Sequence, residues 1–235
     1  MDSTELLQNR QLYFNEGTSN ELRKEFIKNM YLSLFSKMLF IQCSLYIPYS
    51  EYGGYFFHSF ISGGLFVIFA YILFICSALL YSNFIEISNY DITLYSYLLT
   101  LTFSYLFTYL TYYFDTPFFI LNTHYLTMLF LSIFMYTYQT RYPYYYNNLI
   151  KVSFISQLMV FLVMSMIYDN FQYILLTYLT SSIAKLYILT DTECMVTKEE
   201  RKFPIKVDQY LSGTILLYLD LFGIFPYLIK MFNGI

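Results

Sequence analysis

The chain has 235 residues, 57% of them hydrophobic and 12% charged, with a formal net charge of −3. Soluble domains carry about 25% charged residues, so this composition excludes an ordinary soluble globule and points to a membrane protein. No basic stripe runs along the chain, which excludes nucleic acid as a partner. The 29 Tyr and 25 Phe, with no Trp, read as AT-rich coding and not as a functional signal.

The first 25 residues are polar and show no cleavable signal peptide. Residues 1–28 are read as a cytosolic tail and 29–235 as one seven-span domain. Thr18 and Glu21 have capping-box spacing, which predicts a helix running into the first span.

A helical span needs about 20 mostly apolar residues. Seven segments qualify in chain order: 29–49, 57–81, 92–113, 118–138, 149–168, 170–189 and 210–232. The gaps between the third and fourth and between the fifth and sixth are so short that each pair must form a tight helical hairpin. The fold expected is an all-α membrane protein, a seven-transmembrane-helix bundle.

Loop charges orient that bundle. Arg10, Arg23, Lys24 and Lys28 precede span one, Arg141 and Lys151 flank the loop after span four, and Lys198, Arg201, Lys202 and Lys206 follow span six. The opposite loops carry Glu51, Asp115 and Asp169 without Lys or Arg. By the positive-inside rule the N-terminus is cytosolic. The loop holding Glu86 and Asp91 is an exception, and seven spans leave Lys230 on the far side.

The scattered Cys43, Cys76 and Cys194 lack metal-site spacing and suggest no disulfide framework. Ionisable groups inside spans are functional candidates because each must find a partner in the bilayer. Lys37, His124, Lys185 and Asp220 are such groups, with Asp191 at the end of span six.

On span six, Thr177, Ser181, Ala184, Ile188 and Asp191 fall on one helical face, mostly small and polar. On span seven, Gly213, Asp220, Ile224 and Tyr227 share a face, and Gly213 and Gly223 would admit another backbone. Asp220 lies about 15 Å into its span at 1.5 Å per residue. If the two faces meet, Asp191 and Asp220 form a carboxylate pair that shares a proton or binds a cation. The plainer alternative for Asp191 is that it ends its helix in water.

Three segments carry a family resemblance. They are "LYILTDTECM" (186–195), "VDQYLSGTILLYLDLFGIFPYLIKMF" (207–232) and the basic entry "RKEFIKNMYLSLFSKML" (23–39). They resemble the Bax-inhibitor family, also called the transmembrane Bax-inhibitor-motif proteins. The matching steps are Asp191-Thr192, Asp208-Gln209-Tyr210 and Leu217-Tyr218-Leu219-Asp220. The resemblance implies seven helices around a central C-terminal helix, in endoplasmic reticulum, Golgi or bacterial membranes. It also implies pH-dependent calcium leak and suppression of cell death. Asp191 and Asp220 would inherit the pH-sensing pair, and calcium would be the transported ion, with no cofactor and no catalytic residue.

Departures from the family pattern shape the alternatives. The family's basic latch after helix two is missing from "LLYSNFIEISNY" (79–90), Gly223 replaces a family Asn, and Pro226 adds a kink. Lys185, about 9 Å deeper than Asp191, could neutralise one carboxylate and weaken conduction. Otherwise it reaches the interface by its flexible stem, as Lys37 would. His124 reads as a hydrogen-bonded structural residue, His58 as interfacial, and the tyrosines at 49–55 and 142–146 as interfacial anchors. A second function class is a non-conducting protein that keeps the fold and binds other membrane proteins. A third, an intramembrane hydrolase with zinc, lacks a converging set of His and carboxylate ligands.

Overall fold

The computed structural model describes residues 14, 18–50, 68, 71–72, 89–114, 118–139, 144–197 and 205–218. The expected second span lies almost wholly outside these residues, as do Asp220 and the rest of the final span. Among the described residues the chain is all-helical: α1 (Asn20–Leu45), a 3-10 turn (Ile47–Tyr49), α2 (Asn89–Phe114), α3 (Phe118–Tyr138), α4 (Tyr146–Ile167) and α5 (Phe171–Thr197). A last helical segment occupies 210–218.

The helix starts follow from capping chemistry. Ser19, not the expected Thr18, caps α1: its Oγ accepts the Leu22 backbone N–H at 3.4 Å. The helix then runs on into span one, as its spacing predicts. Asn170 caps α5 in the same way, its Oδ1 accepting the Tyr173 N–H at 3.4 Å. Only residues 168–170 separate α4 from α5, and 115–117 separate α2 from α3. Both are the short links that the span spacing requires. The α4–α5 link is flanked by an edge-to-face contact between Phe161 and Phe171, centroids 6.0 Å apart.

Three helices among the described residues are long and apolar enough to cross a membrane: α3 with 21 residues, α4 with 22 and α5 with 27. Their sidedness is that of a protein whose solvent is lipid. On α4 the buried face is Ser153, Gln157, Val160 and Met164, while Phe154, Ile155, Leu158, Met159, Leu162 and Met166 are exposed. Met166 is 88% exposed. Water would not tolerate such a continuous apolar surface, and hydrocarbon favours it.

The chain divides into two compact units, one of residues 1–34, 129–156 and 182–235, the other of 35–128 and 157–181. The first has a core that includes Ile27, Met30, Tyr31, Leu34, Phe130, Ile133, Leu149, Ile188 and Val196. Gly213 belongs to it. A Cβ there would stand 3.0 Å from Met30 Sδ and from Phe26 Cζ, and 3.5 Å from Met195 Sδ. So the close approach that this glycine allows is by side chains of α1 and α5, not by a backbone.

The second unit packs Leu121, Tyr125, Val160, Met164 and Ile174 together, with Phe161, Tyr168 and Tyr178 around them. Its polar groups are tied across helices. Ser104 of α2 donates to Ser44 of α1 at 2.6 Å, and Ser44 in turn donates to the Ile41 carbonyl at 2.6 Å. Asn122 of α3 accepts from Ser181 of α5 at 2.9 Å, and Gln157 of α4 donates to the Ser181 carbonyl at 3.1 Å. Such bonds join helices where apolar burial cannot, because lipid is as apolar as the side chains.

Candidate functional site

The polar face of α5 is buried as its spacing predicts. Thr177 and Ile188 are 0% exposed, Ser181 2% and Ala184 7%, and Asp191 is half-buried. The helix continues six residues beyond Asp191 to Thr197. Asp191 therefore lies within a helix and does not terminate one in water.

Two tyrosines from elsewhere in the first unit reach the residues that follow Asp191. Tyr31 of α1 lies 2.7 Å from Thr192 Oγ1. Thr192 already donates to the Ile188 carbonyl at 2.7 Å, so the proton between the two hydroxyls comes from Tyr31. Tyr144, just before α4, donates to Glu193 Oε2 at 2.8 Å. Tyr31 is fully buried and Tyr144 is 6% exposed. Burial first, and then the adjoining Glu193 carboxylate, push the Tyr144 hydroxyl above its usual value, so it remains a donor. Tyr31 lies within electrostatic reach of Asp191 and of Tyr144. Lys24 of α1 also bonds the Gln139 carbonyl beyond the end of α3.

Sequence reasoning placed Asp191 here and missed its neighbours. Tyr144 belongs to the run read as interfacial anchors, yet it is buried on a carboxylate; Tyr145 beside it is 56% exposed. Glu193, two residues from a candidate acid, was the available signal. The Asp191–Asp220 pairing falls outside the described residues.

Lys185 is 3% exposed, with its Nζ 4.8 Å from the centroid of the Phe154 ring on α4. Lys37, in the second unit, is 8% exposed. Both are enclosed by protein rather than extended along the lipid surface, since an ammonium inside hydrocarbon needs π-electrons, carbonyls or carboxylates around it. His124 has a structural setting in the second unit. Its Nδ1 is 2.7 Å from the Ile120 carbonyl and its Nε2 3.2 Å from Tyr46 Oη. A carbonyl can only accept, so Nδ1 carries a proton, and in the neutral ring the Tyr46 hydroxyl is then the donor to Nε2. Among the described residues no group of three His, Cys, Asp or Glu side chains could hold a metal ion.

Among the described residues, helices with apolar outer faces, hydrogen-bonded polar groups between them and enclosed ammonium groups are the make-up of an integral membrane protein. A family model described as inhibitor of apoptosis-promoting Bax1 matches residues 23–235. The chain belongs to this Bax-inhibitor family. Neither a curated protein nor a solved structure matches it.

Proposed function

We propose that the protein is a pH-sensitive cation-leak channel with calcium as the transported ion, acting in organelle membranes and thereby restraining cell death. The observation that carries this reading is the buried small-polar face of α5 leading to Asp191, in a chain of the Bax-inhibitor family. Asp191 is paired in this reading with Asp220, as the family resemblance implies, and the pair binds a proton or a cation. The bundle has seven spans, the C-terminal helix is central and the N-terminus is cytosolic. The endoplasmic reticulum or Golgi is the expected location, and the chemistry is transport rather than catalysis.

A second reading is favoured by Lys185. An ammonium enclosed between α4 and α5 repels cations from the same interior. With the family's basic latch absent from 79–90, the chain would then keep the fold, conduct nothing and act by binding other membrane proteins.

Calcium flux from reconstituted liposomes, read from pH 6 to 8, separates the two. Wild-type flux whose pH dependence disappears in Asp220→Asn supports the paired-carboxylate channel. A silent wild type that conducts after Lys185→Ser makes the lysine a plug. Silence in wild type, Asp220→Asn and Lys185→Ser alike removes the channel reading and leaves the binding protein.

A further inference from the structure

Asp191, Thr192 and Glu193 are consecutive on α5, so their side chains leave the helix about 100° apart. Thr192 and Glu193 are each tied to other parts of the same unit. Thr192 receives the Tyr31 hydroxyl from α1 and Glu193 receives the Tyr144 hydroxyl from the segment before α4. Both donors are buried, and the Tyr31–Thr192 bond is shielded from water at both ends. A helix held at two azimuths on the same turn cannot roll about its axis without breaking one of the holds. The direction in which the Asp191 side chain leaves the helix follows from that rotation.

We propose that Tyr31 and Tyr144 are positioning residues that set the rotation of the C-terminal end of α5 and thereby aim the Asp191 carboxylate. Glu193 serves as an anchor in this arrangement and not as a second ion ligand. Two residues apart on the helix, the Asp191 and Glu193 carboxylates project about 160° from each other around its axis and cannot converge on one ion. The consequence for ion flux rests on the reading of Asp191 as a proton or cation site, whereas the rotational setting does not.

The native thiol of Cys194, the next residue along the helix and partly exposed, reports the rotation. In a Cys43→Ser, Cys76→Ser background its maleimide labelling rate is measured in liposomes. Tyr31→Phe and Tyr144→Phe, each removing one oxygen, are expected to change that rate several-fold. Glu193→Gln keeps an acceptor for Tyr144 and is expected to label like wild type, while Glu193→Leu is expected to match Tyr144→Phe. The Tyr144→Phe, Glu193→Leu double variant is expected to go no further than either alone. In the flux assay Tyr144→Phe is expected to move the pH of half-maximal flux, which loss of folded protein would not do. Unchanged labelling in both Tyr→Phe variants overturns the proposal, and so does a change in Glu193→Gln equal to that in Glu193→Leu. The two Glu193 variants decide the matter if the tyrosine variants fold poorly. A wild type without flux defeats the ion-leak reading and leaves the labelling comparison to judge the positioning role.

Discussion

The Lys185 ammonium stands 4.8 Å from the centre of the Phe154 ring and makes no ion pair among the described residues. A cation–π contact of this kind contributes about 0.5–2 kcal/mol. Removing an ammonium from water costs several kcal/mol. The second quantity is larger, so the lysine is kept at the expense of stability. Lys185→Met, which preserves the length of the stem and removes the charge, is expected to raise the thermal unfolding temperature in detergent. Phe154→Leu, which removes the ring and leaves the charge, is expected to lower it. A Lys185→Met variant less stable than wild type would mean that the ammonium has a stronger partner than this ring.

The Asn122 amide ties α3 to α5 by accepting from Ser181 at 2.9 Å and lies 3.2 Å from the Thr180 hydroxyl. Thr180 can turn to its own helix carbonyl, Leu176 O at 3.1 Å, so it loses little when the amide is removed. Ser181 is the group left in need. Asn122→Leu is therefore expected to cost about 0.6–1.7 kcal/mol, the range of interhelical hydrogen bonds in membranes. Unfolding in bicelles measures it. The Ser181→Ala variant is expected to cost less than Asn122→Leu, because it removes the donor that would be stranded.

Tyr144 supplies a pH test with a definite sign. Its hydroxyl titrates above the value it has in the unfolded chain, through burial and then through Glu193. Its contribution is complete below the unfolded tyrosine value of about 10 and is lost as pH rises beyond it. Tyr144→Phe is expected to lower stability by about 1.5–3 kcal/mol near neutral pH, the range for a hydrogen bond to a charged group. Thermal unfolding of wild type and variant from pH 7 to 11 should show the gap constant up to about pH 10 and narrowing above it. A gap that widens with alkalinity would contradict the assigned bond.

The local features of this chain were readable from the sequence. The expected fourth span, 118–138, coincides with α3, and Thr177, Ser181, Ala184 and Ile188 of the expected face are buried on α5, with Asp191 half-buried on the same face. Apolar length and a 3.6-residue period are properties of a single helix, and helices in lipid must satisfy their own backbone bonds. The extension of α5 to Thr197 was harder to read because polar residues beyond Ile188 end the apolar run without ending the helix.

Tertiary structure decided which side chains meet. Tyr31 and Thr192 are 161 residues apart, and Tyr144 and Glu193 are 49 apart. No spacing rule links them, and one of 29 tyrosines looks like another until packing buries it beside a carboxylate. The same holds for Lys185, whose stem is long enough to reach lipid headgroups or to fold inward. A flexible side chain takes its direction from what surrounds it, and here that is the Phe154 ring on the neighbouring helix.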